Sequence, residues 1–171
     1  GNWVLGENLP GFSTTKPLRS MANPPLMDED GRKLFDKSKT FDLATNYGQP
    51  DHYNDYVKRE DPLCESTNDF FSGCVHFNSG ILNKFAYLIA EGGVHRDTAV
   101  QGIGREKLGR IAFRALTTHL TQTSTLVQAA ENFVQSCEEL ASADVAAVQA
   151  SDCEEIVHAQ TATGLTPTAT Q

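Results

Sequence analysis

The chain has 171 residues, 39% of them hydrophobic, which suits one domain with a core of its own. Acidic residues outnumber basic ones by 22 to 14, and a net charge of -8 argues against nucleic-acid binding, which needs a basic face. Because the sequence has no run of about 18 apolar residues, we predict no membrane-spanning helix.

The first part of the chain, residues 1–75, is rich in Pro, Gly, Asn and Asp and has little hydrophobic periodicity. We therefore predict irregular structure there. Within it, residues 25–46 and 57–70 are interpreted as surface excursions, because charged residues surround isolated apolar ones. The opening stretch has neither an initiator Met nor an apolar leader, so we expect a mature product or an excised piece.

Four cysteines allow three disulfide pairings. Their sequence neighbours favour Cys64–Cys74 and Cys137–Cys153, and such bridges would place the protein outside the cytoplasm, as a secreted protein. Four reduced, buried thiols are the alternative. A third possibility is a metal site formed by Cys64, Cys74 and His76, although no CxxC or HxxxH spacing supports zinc here.

Residues 76–165 have apolar side chains at helical spacing, which predicts helices joined by short turns. The apolar face of the second helix includes Leu116. Residues 144–149 either extend a helix or add a turn. Each apolar stripe covers one face only, so the helices need one another. The predicted helices cover residues 79–91, 105–120, 125–141 and 152–163.

Polar residues and a glycine mark the predicted helix ends. Asn78 or Ser79 can cap the first helix, and Ser151 with Glu154 forms a capping-box pattern at the last one. Gly164 ends that helix. The sequence therefore predicts a mainly α domain, a bundle of four to five helices behind a long irregular N-terminal part.

Two long stretches are distinctive: GCVHFNSGILNKFAYLIAEGG at 73–93 and GIGREKLGRIAFRALTTHLTQTS at 102–124. In this order along the chain, they and four shorter blocks resemble the C-terminal domain of the thermolysin-like (M4) zinc metallopeptidases, which include neutral proteases and bacillolysins. The shorter blocks are NWVLGENL at 2–9, LRSM at 18–21, PDHYNDY at 50–56 and SDCEEIVHAQTATGL at 151–165.

The resemblance implies a fold of two lobes with a cleft between them. The family's N-terminal lobe carries a His-Glu-x-x-His helix, which supplies two zinc ligands and the general base. This chain contains no His-Glu-x-x-His. We therefore expect residues 1–171 to be the C-terminal lobe without the zinc ligands, inactive alone, with the N-terminal lobe as its partner.

The histidine of the longest block, His76, matches the family residue that stabilises the oxyanion formed on the peptide carbonyl. Such an intermediate needs a positioned donor. Imidazole can serve if a carboxylate holds its other nitrogen, and Asp69 is the nearest acidic candidate. The other interpretation of His76 is a helix-entry residue that bonds the backbone.

Two residues of the LRSM block match substrate-binding positions. Arg19 resembles the family arginine that binds a substrate carbonyl. A planar guanidinium with several N–H donors suits this role. Leu18 resembles a wall of the apolar pocket for the residue after the scissile bond, although a leucine is also an ordinary core residue.

Glu7 resembles a carboxylate of the family's calcium site. Calcium takes six to eight oxygen ligands, and Val4 stands where thermolysin itself has an acidic residue. We therefore expect at most one calcium site in an intact enzyme and none in this chain. Asp51 and His52 are interpreted as structural residues of a turn that bond the nearby backbone.

The resulting hypothesis is the C-terminal lobe of a secreted zinc metalloendopeptidase, which binds peptide or protein substrates and neither nucleic acid nor membrane. The competing hypothesis is a helical interaction module that kept the fold without the chemistry. A His-Glu-x-x-His upstream in the parent reading frame would distinguish the two.

Overall fold

The structure is a computed structural model that describes residues 2–28, 30–68, 73–145 and 147–167. Contacts divide it into two compact units, Gly1–Lys84 and Phe85–Gln171. Within the described ranges, no helix is long and apolar enough to cross a membrane. The elements are β1 (Val4–Leu5), β2 (Arg19–Ser20), α1 (Pro62–Glu65), α2 (Val75–Glu91), β3 (Gly93–His95), β4 (Thr98–Val100), α3 (Arg105–Arg114), α4 (Leu126–Ser142) and α5 (Ala150–Thr163).

The unit Gly1–Lys84 is largely irregular. Its one sheet in the described residues pairs β1 with β2 as antiparallel strands. Apolar anchors of the excursions pack inward and form two small cores, so these segments are more than surface loops. One contains Leu26, Leu34 and Tyr47; the other contains Val57, Leu63, Cys64, Cys74 and Phe77.

Helix α2 begins at Val75, earlier than the sequence predicted. The Cys74 carbonyl accepts the N–H of Phe77 at 3.1 Å and of Asn78 at 3.0 Å, so the first turn forms directly after Cys74. Asn78 is therefore inside the helix, and the prediction that it or Ser79 caps the start is wrong. His76 lies in the first turn of the helix instead of before it.

In the unit Phe85–Gln171, an antiparallel hairpin of β3 and β4 follows α2. Its two-residue turn, Arg96 and Asp97, has φ of 48° and 65°. This hairpin was not predicted from the sequence, because neither turn residue is a glycine.

Helix α3 continues as a π-helix over Ala115–His119, closed by a 2.9 Å bond from the Leu120 N–H to the Ala115 carbonyl. Leu116, predicted to be buried, lies inside this π-helix, where the hydrogen-bond spacing departs from that of an α-helix. Leu116 is 66% exposed.

The last two helices, α4 and α5, are joined by the disulfide Cys137–Cys153, whose Cα atoms lie 5.6 Å apart. Gln149 and Asp152 form the capping box of α5, so the predicted box of Ser151 and Glu154 is wrong by two residues. Gly164 ends α5 with φ of 71°, as predicted. Together with the sparse strands of the described residues, these helices confirm the mainly α prediction.

Candidate functional site

Three predicted site residues, Leu18, Arg19 and His76, line one pocket of about 220 Å³. All of its lining residues belong to the unit Gly1–Lys84. The pocket therefore unites residues that are far apart in sequence. Its other lining residues are Phe41, Leu43, Tyr47, Gln49, Thr67 and Phe77.

Arg19 and Leu18 are held by the small β1–β2 sheet. Arg19 pairs with Leu5 across the two strands, and the N–H of Met21 donates to the Trp3 carbonyl at 2.8 Å. Gly6 has φ of 77°, and a Cβ there would lie 2.7 Å from the Leu18 Cβ. A larger residue at position 6 would push Leu18 away, so this close approach fixes the wall of the pocket.

The start of α2 positions His76. The disulfide Cys64–Cys74, with Cα atoms 5.8 Å apart, holds the residues immediately before the helix. The Gln49 amide donates to the His76 carbonyl and to the Ser79 hydroxyl, the second at 3.2 Å. The His76 side chain itself is exposed. Its backbone is thus fixed while its ring is accessible at the pocket.

Two further side chains of α2 bind distant backbone. The Asn78 Oδ1 accepts the Val57 N–H at 2.8 Å, and its Nδ2 donates to the Val57 carbonyl at 2.9 Å. The Lys84 Nζ donates to the Ala22 carbonyl at 2.7 Å. Burial lowers the pKa of Lys84, against the opposing effect of the Asp51 carboxylate. These polar bonds hold the irregular segments on α2.

The pocket combines hydrogen-bond donors with apolar surface. Arg19 offers several N–H donors in one plane, which suit a carbonyl oxygen. His76 offers an imidazole ring that can donate a hydrogen bond. Leu18, Phe41 and Leu43 offer apolar surface beside these two groups.

The other predicted residues have different outcomes. Asp69 lies outside the described residues, so its pairing with His76 stays a prediction. The Glu7 Oε1 accepts a hydrogen bond from the Asn2 Nδ2 at 3.3 Å, and the two are a poor ligand set for a hard cation. The His52 Nδ1 accepts the Asn54 N–H at 3.1 Å, which is the structural role predicted for it.

The structure also decides between the alternatives for the cysteines. Both predicted disulfides, Cys64–Cys74 and Cys137–Cys153, are present, so the alternative of four reduced, buried thiols is wrong. Because Cys64 and Cys74 are bonded to each other, the hypothesis of a metal site with His76 is wrong as well. In the described ranges, no three His, Cys, Asp or Glu side chains could together hold a metal ion. The zinc that the resemblance implies thus has no fitting ligand set here.

Six pocket residues were not predicted from the sequence, namely Phe41, Leu43, Tyr47, Gln49, Thr67 and Phe77. The first two lie in a segment interpreted as a surface excursion. The available signal was weak: two aromatic residues and one leucine within FDLATNY, an otherwise polar stretch. No periodicity connects these positions with Arg19 or His76.

Comparisons with known proteins agree with the mainly α fold. A profile of the family described as "Thermolysin metallopeptidase, alpha-helical domain" matches residues 1–154. The chain is 40% identical to bacillolysin of Bacillus cereus over 155 residues, 88% of this chain and 22% of that protein. It is 37% identical to thermolysin of Alicyclobacillus acidocaldarius over 142 residues, 81% of this chain and 20% of that protein. The chain spans about a fifth of the length of these relatives.

Proposed function

Since the chain belongs to the thermolysin metallopeptidase family, whose alpha-helical domain it matches, we propose that it is the C-terminal lobe of a secreted zinc metalloendopeptidase. The observation that carries this proposal is the pocket shared by Leu18, Arg19 and His76. An interaction module that only presents a binding surface would not require the Arg19 guanidinium and the His76 imidazole beside one apolar pocket.

In this proposal, His76 donates a hydrogen bond to the oxygen that becomes negatively charged when water adds to the peptide carbonyl. A positioned donor of this kind contributes about 10²- to 10³-fold to the rate of acyl transfer. Arg19 donates to a carbonyl of the bound peptide, and Leu18 contacts a neighbouring side chain. All three groups bind or orient the substrate.

Zinc and its ligands belong to the partner lobe in this proposal. Zinc would activate the attacking water there. In the described residues of this chain, no three His, Cys, Asp or Glu side chains could together hold a metal ion, so we expect the isolated chain to be inactive. The two disulfides support an extracellular location.

The test is peptide hydrolysis by the 171-residue chain with zinc added and by the intact protein from the same reading frame. We expect turnover of an internally quenched peptide by the intact protein only, lost with a chelator and restored by zinc. Turnover by the isolated chain would contradict the proposal that zinc and its ligands belong to the partner lobe. An intact protein without peptidase activity would favour the interaction module.

The role of Arg19 has a separate test in the intact protein. We expect Arg19→Met to weaken substrate binding and to lower kcat/KM by about 10- to 100-fold, because a buried polar contact loses its donor. Arg32→Met is the matched control, since the Arg32 side chain is 74% exposed and lies outside the pocket lining. Equal kinetics for the two variants would exclude Arg19 from the substrate site.

A further inference from the structure

Gln49 is a buried residue whose side-chain amide binds the first turns of α2. The residue is 4% exposed. Its Nε2 donates to the His76 carbonyl and, at 3.2 Å, to the Ser79 hydroxyl. The Ser79 hydroxyl in turn donates to the same His76 carbonyl at 2.9 Å. Two side chains therefore bind the backbone of the residue that is proposed to bind the oxyanion.

The backbone of Gln49 is itself held in place. Its N–H donates to the Pro24 carbonyl at 2.9 Å. A Cβ on Gly80 would lie 2.5 Å from the Gln49 Cβ and 2.5 Å from the Pro50 carbonyl oxygen, so only glycine permits α2 to approach this segment so closely. The Gln49 amide therefore meets the start of α2 at one fixed place.

A second buried amide, that of Asn46, shows what is unusual about Gln49. Asn46 is also 4% exposed, and both ends of its amide are paired within its own loop, with backbone groups of Asp36, Lys39 and Thr40. Gln49 instead directs its Nε2 to α2, and its Oε1 is buried with no hydrogen-bond partner among the described residues. An unpaired buried acceptor costs folding free energy, and proteins accept such costs chiefly at functional sites.

The entry to α2 is also strained. Cys74 has φ of 63°, a left-handed conformation that is uncommon for a residue with a Cβ. Such a conformation persists only where the surrounding structure imposes it. The disulfide to Cys64 holds Cys74, and the Gln49 amide holds His76 two residues later. The turn that carries the imidazole is thus fixed on both sides of its first residue.

We propose that Gln49 is a positioning residue for His76. By binding the His76 carbonyl, it fixes the backbone from which the imidazole reaches the reacting carbonyl of the peptide. This inference rests on the proposed peptidase function and adds to it the residue that places the hydrogen-bond donor. Gln49 acts only through His76, because its Nε2 is bound to α2 and its Oε1 is buried.

The experiment measures kcat and KM of the intact protein on an internally quenched peptide. Gln49→Met keeps the length of the side chain and removes the amide. We expect kcat to fall about 10-fold with little change in KM, because a small displacement of a catalytic group slows the chemical step. In a His76→Ala background the same substitution should leave kcat unchanged, since Gln49 then has no imidazole to position.

Gln160→Met is the matched control, because Gln160 is also a buried glutamine, 5% exposed, and lies on α5 outside the pocket lining. It should keep the kcat of the unmodified protein. If Gln49→Met does not fold, Ser79→Ala removes the other donor to the His76 carbonyl. That variant should lower kcat about threefold, again only when His76 is present.

Two results would overturn the inference while the peptidase function stands. One is an unchanged kcat in Gln49→Met, or in Ser79→Ala where that variant replaces it. The other is a loss of kcat that is equally large with and without His76, because a merely structural role predicts such additivity. An intact protein that cleaves no peptide with zinc present would instead refute the proposed function, and the inference with it.

Discussion

The two units of the molecule differ in regularity: packed helices dominate one, whereas the other combines two small apolar cores with polar anchors. In the unit Phe85–Gln171, apolar stripes of helices bury residues such as Ile111 and Ile156, both 0% exposed. In the unit Gly1–Lys84, polar side chains bind backbone far away in sequence: Asn78 reaches Val57 across 21 positions, and Lys84 reaches Ala22 across 62. The periodic apolar stripes of the helices can be recognised in a sequence, whereas these long-range hydrogen bonds cannot.

The largest effect is expected from a cavity in the helical unit. Ile156→Ala should lower the free energy of unfolding by about 4 kcal/mol, because it removes a fully buried side chain. Val157→Ala, at a position that is 44% exposed, should cost less than about 1 kcal/mol. Denaturant unfolding of both variants measures the difference. Similar losses would mean that α5 does not pack as described.

The two disulfides allow a direct comparison between the units. Replacing either pair by alanine should cost about 3 kcal/mol, since the closed loops span 10 and 16 residues. Loss of Cys64–Cys74 should also shift the His76 NMR signals, because that bridge holds the start of α2. Loss of Cys137–Cys153 should leave those signals unchanged. A His76 spectrum that responds equally to both would contradict the local role of the first bridge.

The polar anchoring of the irregular unit is tested at Asn78. Asn78→Leu should lower the free energy of unfolding by about 2 kcal/mol, because both the N–H and the carbonyl of Val57 lose their partner. Asn54→Leu serves as the control, since Asn54 is exposed. Urea titrations of the two proteins provide the comparison. A neutral Asn78→Leu would show that apolar burial alone orders this unit.

The smallest effect concerns Glu139 on α4. Its hydrogen bond from Arg114, 2.5 Å from Nε to Oε2, lowers the pKa of the carboxyl group, with help from His119 and Gln135 and against the effect of burial. A lowered pKa gives stability above the ordinary value of 4.5, which is lost as the pH falls through the lowered value.

Glu139→Gln should therefore lower Tm slightly at pH 7, and the difference from the unmodified protein should shrink as the pH falls below 4.5. Thermal melts between about pH 2 and 8 measure this dependence. Glu138→Gln, one position earlier on the same helix, is the matched control variant. A difference in Tm for Glu139→Gln that is constant across the pH range would rule out the ion pair as its cause.

The helices of the unit Phe85–Gln171 were predictable from the sequence, because each apolar stripe is formed by residues close together in the chain. The prediction failed at Leu116, where a π-turn ends the α-helical spacing, and at the hairpin turn of Arg96 and Asp97. In the irregular unit, the resemblance supplied Arg19 and His76, which line one pocket. The resemblance pointed to no role for Leu43, and no hydrophobic periodicity marks it in its excursion.

The most direct test of the account is the rate of peptide hydrolysis by the intact protein with His76 replaced by alanine. We expect kcat to fall about 10²- to 10³-fold with little change in KM, because the donor acts on the charge that develops in the transition state. His158→Ala, whose side chain is 52% exposed on α5, should keep full activity. Unchanged kcat in His76→Ala would contradict the assignment of this pocket to the substrate site.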